Sequence, residues 1–263
     1  MYKGAVFFDY DGTLTDENNH IYSPTAKTLY VLERLRGNGY ATFLATGRMK
    51  PLTTMVSGKF TGLITSNGAY TEVDGRCINN RFIPHNLLST AIEYMNRENI
   101  YYALETQSCA YTNGLANKHF IEVLDHFKLA KSLFKPLDRE KVAEAYKIII
   151  TYESEAKVLE MQEAFKEVFS IKPHRFCLSA DVNEKTISKA VGVEAVLKHL
   201  NIPKENSYAI GDGTNDSSML ECVGHGIAMG EHSAELEQYA EFITKSVKED
   251  GIFHALSEHY SLI

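Results

Sequence analysis

The sequence predicts a doubly wound, largely parallel α/β sheet interrupted by an α+β insertion. Three observations lead there. Short apolar runs at 5–8, 41–45, 62–65 and 207–210 each stop at small hydroxyl, amide, glycine or aspartate residues. Helix-patterned stretches separate these runs, giving the strand–helix–strand rhythm of a parallel sheet. From about residue 70 that rhythm yields to neighbouring, hairpin-like strands with helices beside them, the mark of an antiparallel α+β unit.

The first run is four consecutive apolar residues, the composition of a strand buried on both faces. It stops at Asp9 and Asp11, followed by Gly12 and Thr13. Ligand crevices in parallel sheets lie beyond the carboxyl ends of the strands. Side chains two apart on a strand share a face, so the two carboxylates are expected together. Their repulsion requires a metal ion, a shared proton or both; an Asp-rich turn after a core strand is the plainer alternative. Residues 15–22 are polar and loop-like. Ser23-Pro24 reads as the cap and first position of a helix, with Leu29, Leu32 and Leu35 on its apolar face and Gly37 and Gly39 ending it. The second run ends in Thr46-Gly47-Arg48, a further helix follows, and the third ends in Ser66-Asn67-Gly68-Ala69.

Asp74-Gly75 predicts a hairpin turn between strands at 70–73 and 76–82. Beyond it, 86–97, 117–127 and 155–169 read as helices. The span 100–111 reads as two strands around Gln107-Ser108, 147–152 as one strand and 170–182 as a pair. Residues 186–200 are then helical, and 207–210 leads into Gly211-Asp212-Gly213-Thr214-Asn215-Asp216. A helix begins at Met219-Leu220, 225–229 is a short strand, and helices are expected to the end. The expected division is a Rossmann-like core from 1–83 and 184–263 with an inserted domain at 84–183.

A chain of 263 residues, 44% hydrophobic and 23% charged, can bury a sizeable core. The net charge of -7 argues against nonspecific binding to nucleic acid or an anionic membrane. Cys77, Cys109, Cys177 and Cys222 form no C-x-x-C pair, so reduced thiols are expected rather than zinc or a disulfide framework. The sequence enters its first strand without a charged-then-apolar leader, and no apolar stretch is long enough to span a bilayer. Cytoplasm is the expected location, with a monomer or weak homo-oligomer as the expected assembly.

Four strand-end loops carry polar groups: Asp9/Asp11, Thr46, Ser66/Asn67, and Asp212/Asn215/Asp216. Brought to one edge of a parallel sheet, they would hold up to four carboxylates. Hard oxygen ligands of this kind suit Mg²⁺, which also favours phosphate oxygens. A calcium loop starting at Asp9 would need Gly at Leu14 and Glu at His20; one starting at Asp212 fails at Ser217 and Val223. The glycine-rich signatures of NTPases and dehydrogenases, G-x-S-x-G and H-E-x-x-H are all missing.

Taken in order, Phe-Phe-Asp9-Tyr-Asp11-Gly-Thr13, Ala-Thr46-Gly-Arg48, Thr-Ser-Asn67-Gly-Ala, Ile-Ser-Lys189, Ile-Gly-Asp212-Gly-Thr-Asn215-Asp216-Ser-Ser-Met and Gly-Ile-Ala-Met-Gly230 span nearly the whole chain. This set resembles the haloacid dehalogenase superfamily of phosphatases, and within it the Cof-type subfamily with a class IIB α/β cap. Ala190 stands where many relatives have Gly, and Glu231 where Asn is frequent; neither position carries a catalytic group. The resemblance implies that Asp9 is the nucleophile forming an aspartyl phosphate and Asp11 the acid and then base. It implies Mg²⁺ held by Asp9, the Asp11 main-chain carbonyl and Asp212, with Asp216 in support. It assigns Thr46, with Gly47 in the same loop, and Lys189 to phosphoryl oxygens, and Asn67 and Asn215 to phosphate, substrate or Lys189. The implied substrate is a small phosphorylated metabolite such as a sugar phosphate, met by the cap. A phosphomutase of the same fold and a noncatalytic phosphometabolite-binding protein are the alternatives. Alone, Lys189 reads as a solvated helix residue, Arg48 as a loop anchor, and Gly12 and Thr13 as turn formers. The ten histidines show no ligand spacing; His85, His119, His174 and Arg175 are candidate substrate contacts in or beside the insertion.

Overall fold

The structure, a computed structural model, describes residues 2–138, 144–174 and 177–263. It forms two compact units, one of Met1–Arg48, Thr54–Asn80 and Ser188–Ile263, the other of Met49–Thr53 and Arg81–Ile187. In chain order, β1 (Gly4–Phe8), α1 (Ala26–Gly37), β2 (Tyr40–Ala45), the short α2 (Thr54–Ser57), β3 (Gly62–Thr65), β4 (Tyr70–Val73) and β5 (Arg76–Asn80) open the first unit. The second unit holds α3 (His85–Arg97), β6 (Tyr101–Glu105), β7 (Ala110–Thr112), α4 (Lys118–His126), β8 (Phe134–Pro136), β9 (Lys147–Thr151), α5 (Glu155–Phe165), β10 (Phe169–Pro173) and β11 (Ser179–Glu184). The first unit is completed by α6 (Lys189–Leu200), β12 (Ser207–Gly211), α7 (Ser217–Cys222), β13 (His225–Ala228) and β14 (Phe242–Ile243).

The first unit is an eight-stranded sheet in the order β14-β13-β12-β1-β2-β3-β4-β5. Strands β14 to β3 run parallel, and the β4–β5 hairpin adds two antiparallel strands. The continuous apolar run of β1 is explained by burial on both faces. Val6 and Phe8 pack with Val31, Leu32 and Leu35 of α1. Ala5 and Phe7 join Val193 and Val196 of α6 and Met219 and Leu220 of α7. Asp74 and Gly75 both have positive φ, 49° and 75°, the tight turn that suits the twist of a two-residue hairpin.

The second unit is a six-stranded sheet in the order β10-β11-β9-β6-β7-β8. One face, with Tyr102, Leu104, Ile148, Ile150, Ala180 and Val182, packs on α3 and α5. The other carries Ala103, Ala110 and Ile149 with Phe120 and Leu124 of α4. Alternation places Lys147 and Asp181 on this second face. There Lys147 is buried against Asp181 Oδ1 at 2.8 Å and Glu105 Oε1 at 3.5 Å. His174 Nε2 lies 3.4 Å from the same Asp181 oxygen.

Several sequence expectations are corrected. The α1 cap is Thr25, not Ser23: Thr25 Oγ1 accepts from Thr28 N at 3.2 Å and donates to Asp250 at 2.8 Å. The helix expected at 155–169 stops at Phe165, because Phe169 and Ile171 are buried in β10. The helix expected from 186 begins at Lys189 after an N-cap at Ser188. The C-terminal stretch read as helices contributes β14. β8 was not expected, and it pairs parallel to β7 in an otherwise antiparallel sheet. Strands of two or three residues are too short to show a period.

Helix α6 approaches the sheet through Gly192. A Cβ there would lie 2.4 Å from Ile64 Cγ2 and 3.0 Å from Thr71 Oγ1, and the branched Ile64 side chain has little rotamer freedom to withdraw. Gly192→Ala should therefore lower stability by about 1–3 kcal/mol in urea unfolding, despite the better helix propensity of alanine. Gly58→Ala, where nothing lies within 4 Å, should leave the midpoint unchanged. Equal midpoints for both variants would refute this packing.

Candidate active site

Four parallel neighbours, β12, β1, β2 and β3, end at Gly211, Phe8, Ala45 and Thr65. The next residues are Asp212, Asp9, Thr46 and Ser66, so the sheet register collects the polar strand ends on one edge. Asp9 is fixed by its N–H, which donates to Ile210 O at 2.9 Å. The chain then turns back, with Leu14 N and Thr15 N both donating to Tyr10 O. Gly12 sits in that turn at φ 86°, and a Cβ on it would lie 2.1 Å from Asp212 Oδ2. Glycine is required both by the conformation and by the approach of Asp212.

Lys189 organises the centre. Its side chain is fully buried, and Nζ donates to Asp9 Oδ1 at 2.5 Å and Asp216 Oδ1 at 2.6 Å. Burial opposes its charge, but Asp216 and then Asp9 hold its pKa above the ordinary lysine value. Asp216 also accepts through Oδ2 from the N–H groups of Asp212 and Gly213, each at 3.0 Å. Asp212 in turn accepts from Thr13 Oγ1 at 2.9 Å. Burial, then the neighbouring Asp216, pushes the Asp9 carboxyl up to about 8. Burial, followed by Asp9 and Asp216, raises Asp212 well above the ordinary range. One ammonium thus leaves three carboxylates under-compensated.

Those three carboxylates could hold a metal ion. Asp9, Asp212 and Asp216 each offer one oxygen, and the three oxygens lie within 4.8 Å of one another. The donors are hard and anionic, and the raised proton affinity of Asp9 and Asp212 fits a site adapted to a divalent cation. The Asp11 side chain is paired with Arg48. Arg48 Nε lies 3.1 and 2.9 Å from the two Asp11 oxygens, and Nη2 also contacts Oδ1. The two carboxyls therefore have different partners, Lys189 for Asp9 and Arg48 for Asp11, while the Asp11 charge still acts to raise the Asp9 pKa.

In the first unit, the remaining expected residues lie on the other strand-end loops. Thr46 is fully buried, and its Oγ1 accepts from Arg48 N at 3.0 Å, with Gly47 between them. Asn67 N donates to Thr46 O at 3.0 Å, and Asn67 Oδ1 accepts from Asn215 Nδ2 at 3.2 Å. Ser66, Asn67 and Gly68 have φ values of 49°, 55° and 99°, a run of left-handed backbone of the kind that concentrates at functional sites. Gly68 approaches the α6 terminus so closely that a Cβ would lie 2.1 Å from Ser188 O. In the second unit, His85 is exposed, and His119 contacts Glu122 and Glu153 at 3.0 and 3.5 Å. His174 Nδ1 lies 2.7 Å from Ser179 Oγ. Arg175 falls outside the described residues.

Sequence reasoning missed Glu17 and the Arg48–Asp11 fork. Arg48 Nη2 also reaches Glu17 Oε1 at 3.4 Å, and the guanidinium carbon lies 4.3 Å from the Tyr10 ring centroid. Burial, then the Asp11 charge, pushes the Glu17 carboxyl up to about 7. No local pattern announces an ion pair across 31 residues. Thr13 was read only as a turn former, although a hydroxyl two residues past Asp11 was the available signal.

Comparisons with known proteins bear on the family and the fold. A profile of the haloacid dehalogenase-like hydrolase family matches residues 6–256. YkrA of Bacillus subtilis (strain 168) is 30% identical over 265 residues, covering 98% of each chain. The phosphatase YwpJ of the same organism is 25% identical over 293 residues, covering 95% of this chain and 98% of its own. Among solved structures, the HAD subclass IIB sugar phosphatase BT4131 superposes with a TM-score of 0.85 at 26% identity, covering 99% of this chain and 100% of its own. A match from the first strand almost to the last residues means that the chain belongs to the haloacid dehalogenase-like hydrolases.

Proposed function

We propose that this hydrolase is a Mg²⁺-dependent phosphomonoesterase acting on small phosphorylated metabolites, with sugar phosphates as the leading class. The observation that carries the reading is the buried Lys189 shared by Asp9 and Asp216 beside Asp212. Among the described residues, Asp9 Oδ1 accepts from Lys189 while Oδ2 accepts no hydrogen bond, so one carboxylate oxygen is oriented and the other remains for attack at phosphorus. Asp9 would become an aspartyl phosphate. Asp11 would give a proton to the leaving oxygen and then activate the water that hydrolyses the intermediate. Thr46 Oγ1 already accepts from Arg48 N, so its hydroxyl proton can be directed to a phosphoryl oxygen, and Lys189 supplies a compact positive charge. Asn67 and Asn215, joined to each other, would orient phosphate or substrate.

The ion would be held by Asp9, Asp212 and the Asp11 main-chain carbonyl, supported by Asp216. When bound, it would neutralise charge on phosphate and carboxylates. The second unit would serve as the cap that selects the leaving group, in keeping with the sugar phosphatase activity of BT4131. Cytoplasmic location remains part of this proposal; no helix among the described residues is long and apolar enough to cross a membrane.

Substitution separates the two aspartates. Asp9→Asn should abolish turnover of every ester. Asp11→Asn should fail at the first step with sugar phosphates, whose alkoxide needs a proton to depart. With p-nitrophenyl phosphate it should release nearly one equivalent of p-nitrophenol in a burst, then turn over roughly 10²–10⁴-fold more slowly than the parent. A trapped phosphoryl group should map to Asp9; an adduct elsewhere would overturn the assignment.

The metal should be visible in activity and in stability. EDTA should abolish turnover and Mg²⁺ restore it, with Ca²⁺ a poor substitute because of its larger, looser coordination. In the metal-free protein, the Asp9 pKa of about 8 exceeds its ordinary value of 3.8. Between those values the unfolded chain releases this proton while the folded protein retains it. The Asp9 contribution to stability is therefore full at low pH and declines as pH rises through this window. The Tm of wild-type protein relative to Asp9→Asn should fall over that range in EDTA and recover with Mg²⁺. Parallel Tm profiles would contradict the charge balance described for Asp9.

A further inference from the structure

Beside Asp11, the Arg48 and Glu17 side chains form an arrangement to which the proposed chemistry gives no role. Arg48 binds both oxygens of Asp11 in a fork, the geometry in which guanidinium–carboxylate pairing is strongest and most directional. Its Nη2 is shared with Glu17 Oε1 at 3.4 Å, and that oxygen also accepts from Thr15 Oγ1 at 2.9 Å. Thr15 Oγ1 lies 3.1 Å from Tyr10 O, and the Tyr10 ring lies against the guanidinium. The Arg48 and Glu17 side chains are 11% and 10% exposed, against 27% for Asp11. The arginine is thus held by a carboxylate and an aromatic face, and Asp11 is the most accessible member of the set.

We propose that Glu17 is a positioning residue: by holding the Arg48 guanidinium, it sets the direction of the Asp11 carboxylate and governs its release toward the leaving oxygen. While both Asp11 oxygens lie in the Arg48 fork, they cannot address a leaving group. Asp11 must turn out of the fork to do so and can return to it afterwards. A second carboxylate on the same guanidinium weakens the grip on Asp11 without letting the arginine wander. Removing the Glu17 charge concentrates Arg48 on Asp11 and retards that turn. The inference rests on the reading of Asp11 as the group serving the leaving oxygen.

Glu17→Gln preserves shape and removes the charge, so it separates positioning from packing. Single-turnover phosphorylation by a sugar phosphate should slow by roughly 3- to 10-fold, the scale of one partly buried charge contact. The p-nitrophenol burst rate, which needs little help in departure, should stay within about 2-fold of wild type. The sugar phosphate KM should be unchanged, and Glu17→Asp should recover part of the lost rate. In an Asp11→Asn background, Glu17→Gln should add no further loss, because non-additivity marks groups acting through one another. Equal slowing with both substrates, or no slowing with either, overturns the role of Glu17. If Asp11→Asn itself shows no dependence on leaving group, the reading of Asp11 fails; if it does and Glu17→Gln does not, only the inference about Glu17 fails.

Discussion

The ammonium of Lys189, buried between Asp9 and Asp216, is the contact on which the rest of the first unit depends. An ion taken fully out of water costs several kcal/mol unless partners replace its hydration, and Lys189 is 0% exposed. Its helix must therefore be placed accurately. Gly192 allows α6 to lie directly on Ile64, and Gly68 brings the third strand-end loop against Ser188 at the start of that helix. Two glycines with no chemistry of their own thus determine where a charge sits. The same contact explains the acidity pattern, since one positive group cannot balance three carboxylates, and burial with mutual repulsion raises Asp9 and Asp212.

Much of this was legible in the sequence because the site is built from strand ends, and strand ends are local features. An apolar run stopping at Asp9, another at Thr46 and a third at Asp212 can be read without knowing the pairing, and adjacent parallel strands then bring those positions together. Lys189 was legible only through its place in an ordered series of motifs, because a lone lysine near a helix start has no distinctive pattern. The partner of Asp11 was hidden for a different reason. β1 ends at Phe8, and beyond it Asp11 pairs with Arg48, 37 residues away, which strand alternation cannot announce. Glu17 was hidden further, inside a loop whose polarity suggested only solvent.

The second unit shows the same division. Its helices and longer strands follow from apolar spacing, and their alternation supplies two packed faces. The burial of Lys147 with Asp181 and Glu105 does not follow from spacing. A lysine at the head of an apolar run looks like the solvent-exposed end of a strand. Only the pairing of Glu105 with Lys147 across β6 and β9, and the place of β11 beside β9, puts the three charges together. Removing Lys147 would take the shared cation from two buried carboxylates, so their importance lies in the set.

The position of β1 in the sheet has a consequence for synthesis. β1 pairs with β2 on one side and β12 on the other, and some 200 residues separate it from that second partner. At about 5–20 residues per second, a ribosome takes roughly 10–40 s to deliver β12 after β1 has emerged. During that interval the Val6-Phe7-Phe8 edge can be satisfied on one side only, and an unpaired apolar strand is a template for wrong partners. Asp212 reaches the edge that carries Asp9 only when β12 pairs with β1.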